Sequence, residues 1–79
     1  VLPNPVQAGA RGAVEVVLGV EAAVRVEAFD ALGRRLALLH DGPLAAGPHR
    51  LRLPPGPPGL VVVRATGPFG SASARAIRR

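Results

Sequence analysis

Few side chains in this sequence can move a proton or attack an electrophile: His40, His49, Asp30, Asp41, Ser71, Ser73 and Thr66 are most of the stock. Catalysis by such groups needs a nucleophile beside a base, or an acid and a base held across a cleft. His40-Asp41 runs directly into Gly42-Pro43, which reads as a solvated turn, and His49 stands beside Arg50 and Arg52 on a short strand. Two histidines without carboxylates at ligand spacing make a poor metal site. Cys is absent, which removes thiolate catalysis, disulfides and Cys-based zinc sites together. Glycoside hydrolysis asks for two carboxylates about 5 to 10 Å apart. Glu15 and Glu27 would face one another if their strands were neighbours, yet each alternates with core-type residues and reads as an outward, solvated group. Gly56-Pro57-Pro58-Gly59 has too few amide donors to cradle a phosphate, and the chain has no Lys for a Walker loop. The sequence therefore reads as non-enzymatic, with no cofactor and no metal.

Charge is the stronger signal. All ten basic residues are Arg, against five acidic ones, for a formal charge of +5. That balance favours anionic partners and bears on association more than on fold. A nucleic-acid-binding β module interleaves such charges with stacking aromatics, and only Phe29 and Phe69 are present, so nucleic acid is not expected as a partner. The same scarcity weighs against a carbohydrate-binding module. Arg75, Arg78 and Arg79 close the sequence. They are read either as charges that keep an edge strand from pairing with strangers or as groups that a receptor grips.

The elements that must carry these residues are short strands. A chain of 79 residues makes one small domain, spanning residues 1–79, because at this size only about 60% of the unfolded surface can be buried. Pro and Gly interrupt nearly every window long enough for a helix, and Val is concentrated in short runs. Residues 13–20 alternate at period two, with Val14, Val16, Leu18 and Val20 on one face. Residues 23–30 repeat the pattern, with Val24, Val26 and Ala28 inward. Asp30-Ala31-Leu32-Gly33 predicts a tight turn into a return strand over 34–40, with Leu36 and Leu38 inward and Asp41-Gly42-Pro43 as its end. Further strands are expected over 49–53, over 60–63 as an apolar run covered on both faces and hence central, and over 71–79 as an edge strand. With one more over 2–7, about seven short strands predict an all-β sandwich of two antiparallel sheets. No apolar run reaches the roughly 18 to 20 residues of a transmembrane helix. The chain lacks an initiator Met and reads as a segment of a longer polypeptide.

The order of the motifs carries more than any one of them. Pro3-Asn4-Pro5 opens the chain; Val24-x-Val26-x-Ala28-Phe29-Asp30-x-x-Gly33-Arg34 follows; then come Leu44-Ala45-Ala46-Gly47, Pro58-Gly59 before Val61-Val62-Val63-Arg64, and a basic-apolar finish. This succession resembles the type A C-terminal sorting domain of type IX secretion, found in Bacteroidetes-like bacteria, and its relative the immunoglobulin-like domain of the flagellar hook-capping protein. Where that family reads Gly-Val-Tyr, this chain has Gly59-Leu60-Val61, and Arg75 stands in place of the usual Lys near the end.

The resemblance implies an immunoglobulin-like sandwich and an address rather than a reaction. A cargo protein would reach the periplasm by a separate signal. It would then be recognised through this module by type IX translocon components, and pass the outer membrane to the cell surface or the medium. A cell-surface sortase and anionic lipopolysaccharide would be further partners. Partner recognition would fall to Gly59, Val61, Arg64, Arg75, Ile77, Arg78 and Arg79, while Pro3, Asn4, Pro5, Phe29, Asp30, Gly33 and Arg34 would build the motif. The alternative is an immunoglobulin-like structural or interaction module, a spacer or hook-cap-like unit of a surface or secreted protein.

Overall fold

A computed structural model describes residues 6–8, 13–54, 56, 58–68 and 70–78. Seven strands follow in order: β1 (Val6–Ala8), β2 (Ala13–Leu18), β3 (Ala22–Asp30), β4 (Arg35–Leu44), β5 (Gly47–Arg52), β6 (Gly59–Gly67) and β7 (Gly70–Arg78). All pair antiparallel, in a three-stranded sheet of order β1-β2-β5 and a four-stranded sheet of order β4-β3-β6-β7. The chain changes sheet between β2 and β3, between β4 and β5, and again between β5 and β6. This is the expected all-β sandwich of two antiparallel sheets. Among the described residues no helix is long and apolar enough to cross a membrane.

Period-two patterning puts one face of each sheet into a shared core. Val14, Val16 and Leu18 of β2 meet Val24, Val26 and Ala28 of β3 and Val61, Val63 and Ala65 of β6. Among the described residues the largest fully buried side chains are seven valines, Val6, Val14, Val16, Val24, Val26, Val61 and Val63. A core of such small side chains is thin, so each one matters. Burying a Val contributes roughly 1.5 kcal/mol or more, against a net stability of about 0.1 kcal/mol per residue.

Several boundaries differ from the sequence reading. β2 stops at Leu18, and Val20, expected on the core face, is 73% exposed in the link to β3. Because β2 and β3 lie in different sheets, Glu15 and Glu27 are not neighbours, and the carboxylate pair of a glycosidase is not assembled. β4 runs on through Asp41-Gly42-Pro43 to Leu44, Pro43 being tolerated because β4 is an edge strand. β6 is central, as expected, but only Val61, Val63 and Ala65 are buried, and Leu60 and Val62 on its other face are half-buried. β7 is the opposite edge, and its core residue is Ala76, whereas Ile77 is 59% exposed. Pro3, Asn4 and Pro5, and with them most of the strand expected over 2–7, lie outside the described residues.

The largest correction concerns Leu36 and Leu38, expected inward and found 42% and 46% exposed. The register against β3 explains it. Val26 faces His40 while Glu27 faces Leu38, and Ala28 faces Ala37 while Phe29 faces Arg35. β4 therefore carries two extra residues, Leu39 and Leu36, each at a bulge. One extra residue exchanges the faces of everything beyond it. Leu39 packs on the core instead, and Leu38 stands opposite Glu27 on the outer face.

Candidate functional site

The β3–β4 turn is built by Asp30. Its main-chain N–H donates to the Arg34 carbonyl at 2.9 Å and its carbonyl accepts from the Gly33 N–H at 3.0 Å, closing a three-residue hairpin loop. Gly33 supplies the left-handed backbone this loop needs, at φ +85°. Asp30 Oδ1 accepts from the main-chain N–H groups of both Leu32 and Arg34 at 2.9 Å, and Oδ2 accepts from Arg34 Nε at 2.8 Å. Donation from the Arg34 main chain is the chief reason the Asp30 carboxyl titrates below its ordinary value; the Arg34 side chain and the Leu32 N–H add to it, and partial desolvation opposes it. The Asp-x-x-Gly-Arg motif is thereby accounted for as turn chemistry.

That turn stands at one end of the four-stranded sheet beside the start of β6 and the end of β7. Asp30 is level with Val61, Leu60 with Ile77, and Gly59 with Arg78. Between them lies an open groove of about 360 Å³ whose walls include Leu32, Leu36 and Leu60, with Arg34 and Arg78 as its cations and Asp30 as its carboxylate. Leu32, at the turn tip, is 79% exposed. Arg78 lies back against the loop before β6: a Cβ placed on Gly56 would overlap its guanidinium. Arg78 Nε is buried with no hydrogen-bond partner among the described residues. An unmet donor of that kind costs about 1 to 3 kcal/mol.

The expected recognition residues that the structure describes divide into three groups. Gly59 and Arg78 line the groove. Arg64, Arg75 and Ile77 lie on the outer face of the four-stranded sheet, where the Arg64 guanidinium carbon stands 5.4 Å from the centre of the Phe29 ring. Val61 points into the core and is 2% exposed, so its side chain packs rather than reads a partner. Arg79 lies outside the described residues.

Around these groups most carboxylates are engaged: Asp41 with Arg25 at 3.2 Å and Glu27 with Arg35 at 3.3 Å, besides Asp30 with Arg34. Each histidine meets a nearby carbonyl, His40 Nε2 that of Gly42 at 3.1 Å and His49 Nε2 that of Ala45 at 2.7 Å. No three metal-ligating side chains cluster among the described residues.

Sequence reasoning did not single out Leu32, Leu36, Leu60 and Gly56 as site residues. The signal for Leu32 was legible, since a large apolar side chain at the tip of a tight turn has no core to enter. Leu36 depends on a bulge and Gly56 on where Arg78 folds back, neither of which leaves a trace in residue order. No protein family, curated protein or solved structure gives a significant match to this chain.

Proposed function

We propose that this chain is a non-catalytic recognition domain of the type IX sorting kind, which directs a cargo protein through the outer-membrane translocon to the cell surface or the medium. The observation that carries the reading is convergence. The Asp30-x-x-Gly33-Arg34 turn, the Pro58-Gly59 step and the basic-apolar last strand are far apart in sequence yet meet around one groove at one sheet end. β7, the last strand of the four-stranded sheet, adjoins it, and recognition at a sheet edge works through main-chain donors and acceptors while side chains supply selectivity. A recognised module of this kind has no need of a catalytic group. The translocon, a surface sortase and anionic lipopolysaccharide are the partners this reading carries with it.

The test is secretion. Residues 1–79 fused behind a periplasm-exported reporter, in a host competent for type IX secretion, should carry the reporter to the surface or medium. Retention of all reporter in the periplasm overturns the proposal. Trimming residues 77–79 should abolish export and leave the fold, because the buried Ala76 is kept. The second reading, an immunoglobulin-like spacer or hook-cap-like module, draws on the exposed leucines of the groove as a contact with a neighbouring subunit. It takes precedence if the fusion is retained yet cross-links through the groove leucines to a neighbouring subunit.

A further inference from the structure

The groove combines two features that a plain sheet end does not need. Its apolar wall is made of side chains that reach into solvent, Leu32 at the turn tip and Leu36 at a bulge, with half-buried Leu60 between the strands. Arg78, which lines the same groove, holds a planar, multi-donor guanidinium against Gly56, and its Nε is buried with no hydrogen-bond partner among the described residues. Asp30, the carboxylate that lines the groove, has both oxygens engaged, by the Leu32 and Arg34 N–H groups and by Arg34 Nε. Arg34 and Arg78 against Asp30 leave the groove with a net positive charge.

We propose that this groove is a carboxylate-binding site for an extended, acidic-aliphatic peptide segment of a partner protein, with Arg78 as the anchor and Leu32, Leu36 and Leu60 as the apolar contact. Guanidinium matches a carboxylate in a two-point, charge-assisted hydrogen bond, which sets orientation as well as affinity. An aliphatic residue beside the acid in the ligand covers the leucines, which water otherwise meets. Arg34 sets the position of the Asp30 carboxylate and so keeps that charge from competing for Arg78. The proposal rests on reading the chain as a recognition domain, but not on recognition leading to export.

The test uses the 79-residue chain and a short fluorescent peptide that alternates Leu with Asp, followed by anisotropy. The expected result is saturable binding that weakens about tenfold in Arg78→Gln and falls with added salt, while Arg25→Gln, at the other end of β3 from Asp30, leaves it unchanged. The same peptide with Asn for Asp should bind the native chain no better than the Asp peptide binds Arg78→Gln. Gly56→Ala is the second variant, since it displaces the guanidinium without removing it and should weaken binding in the same direction. Circular dichroism confirms that each variant folds. The absence of saturable binding by the native chain overturns the proposal. So does equal binding of the Asn peptide, or indifference of the Asp peptide to both groove variants. Binding to vesicles of anionic phospholipid that depends on Arg78, with none to the peptide, also overturns it in favour of a membrane surface. Failure of the reporter to be exported leaves these outcomes unaffected, and loss of peptide binding leaves the export assay to stand by itself.

Discussion

Asp30 and Arg34 are joined twice: one carboxylate oxygen accepts the Arg34 main-chain N–H at 2.9 Å and the other accepts Arg34 Nε at 2.8 Å. The main-chain bond fixes the loop, and the side-chain bond turns the guanidinium back over it. A residue pair that a motif search reads as a signature is thus first a device for closing a hairpin, and the groove is shaped by the turn it closes.

Replacement of Asp30 tests that device through pH. The folded carboxyl titrates below its ordinary value of 3.8, so its contribution is present in full above that value and is lost as pH falls through the lower folded value. The melting temperature of Asp30→Asn should lie below that of the native chain at neutral pH. The gap should close as the pH is taken below the ordinary carboxylate range. A gap that persists unchanged in acid would assign the effect to shape rather than charge.

Two glycines should respond in opposite directions. Gly33 sits at φ +85°, a conformation that costs a residue with a Cβ about 1 to 2 kcal/mol, and Gly33→Ala should lose that much in urea denaturation. A Cβ on Gly19 would meet only open space, and the backbone there is not left-handed, so Gly19→Ala should be neutral or stabilise by up to about 1 kcal/mol.

The bulges in β4 make a sharper forecast, because they reverse the parity that the residue order implies. Leu39→Ser should destabilise by roughly 1 to 3 kcal/mol, since Leu39 packs on the core. Leu38→Ser should change stability by less than about 0.5 kcal/mol, as expected of an exposed position. The reverse order of effects would restore a β4 without its extra residues.

Val63 and Ile77 offer the same contrast within the β6–β7 hairpin. Val63 is fully buried and Val63→Ala should cost roughly 1.5 to 3 kcal/mol in chemical denaturation. Ile77 is larger but exposed on the edge strand, and Ile77→Ala should cost less than about 1 kcal/mol. An export defect in Ile77→Ala without a stability defect would identify a contact with the secretion machinery.

Much of this protein is legible in residue order. Alternation at period two marks β2 and β3 and their core valines, Asp30 with Gly33 marks the turn, and the lack of Cys leaves stability to packing and pairing. These are local properties, set by side-chain parity and by the backbone that a few residues allow. The sheet to which each strand belongs, the two bulges that turn Leu36 and Leu38 outward, and the meeting of Leu32, Leu60 and Arg78 around one groove are settled by long-range pairing. Adding one residue to an edge strand reverses every side chain beyond it at little local cost, so only the register against β3 decides which leucines enter the core and which remain on the surface.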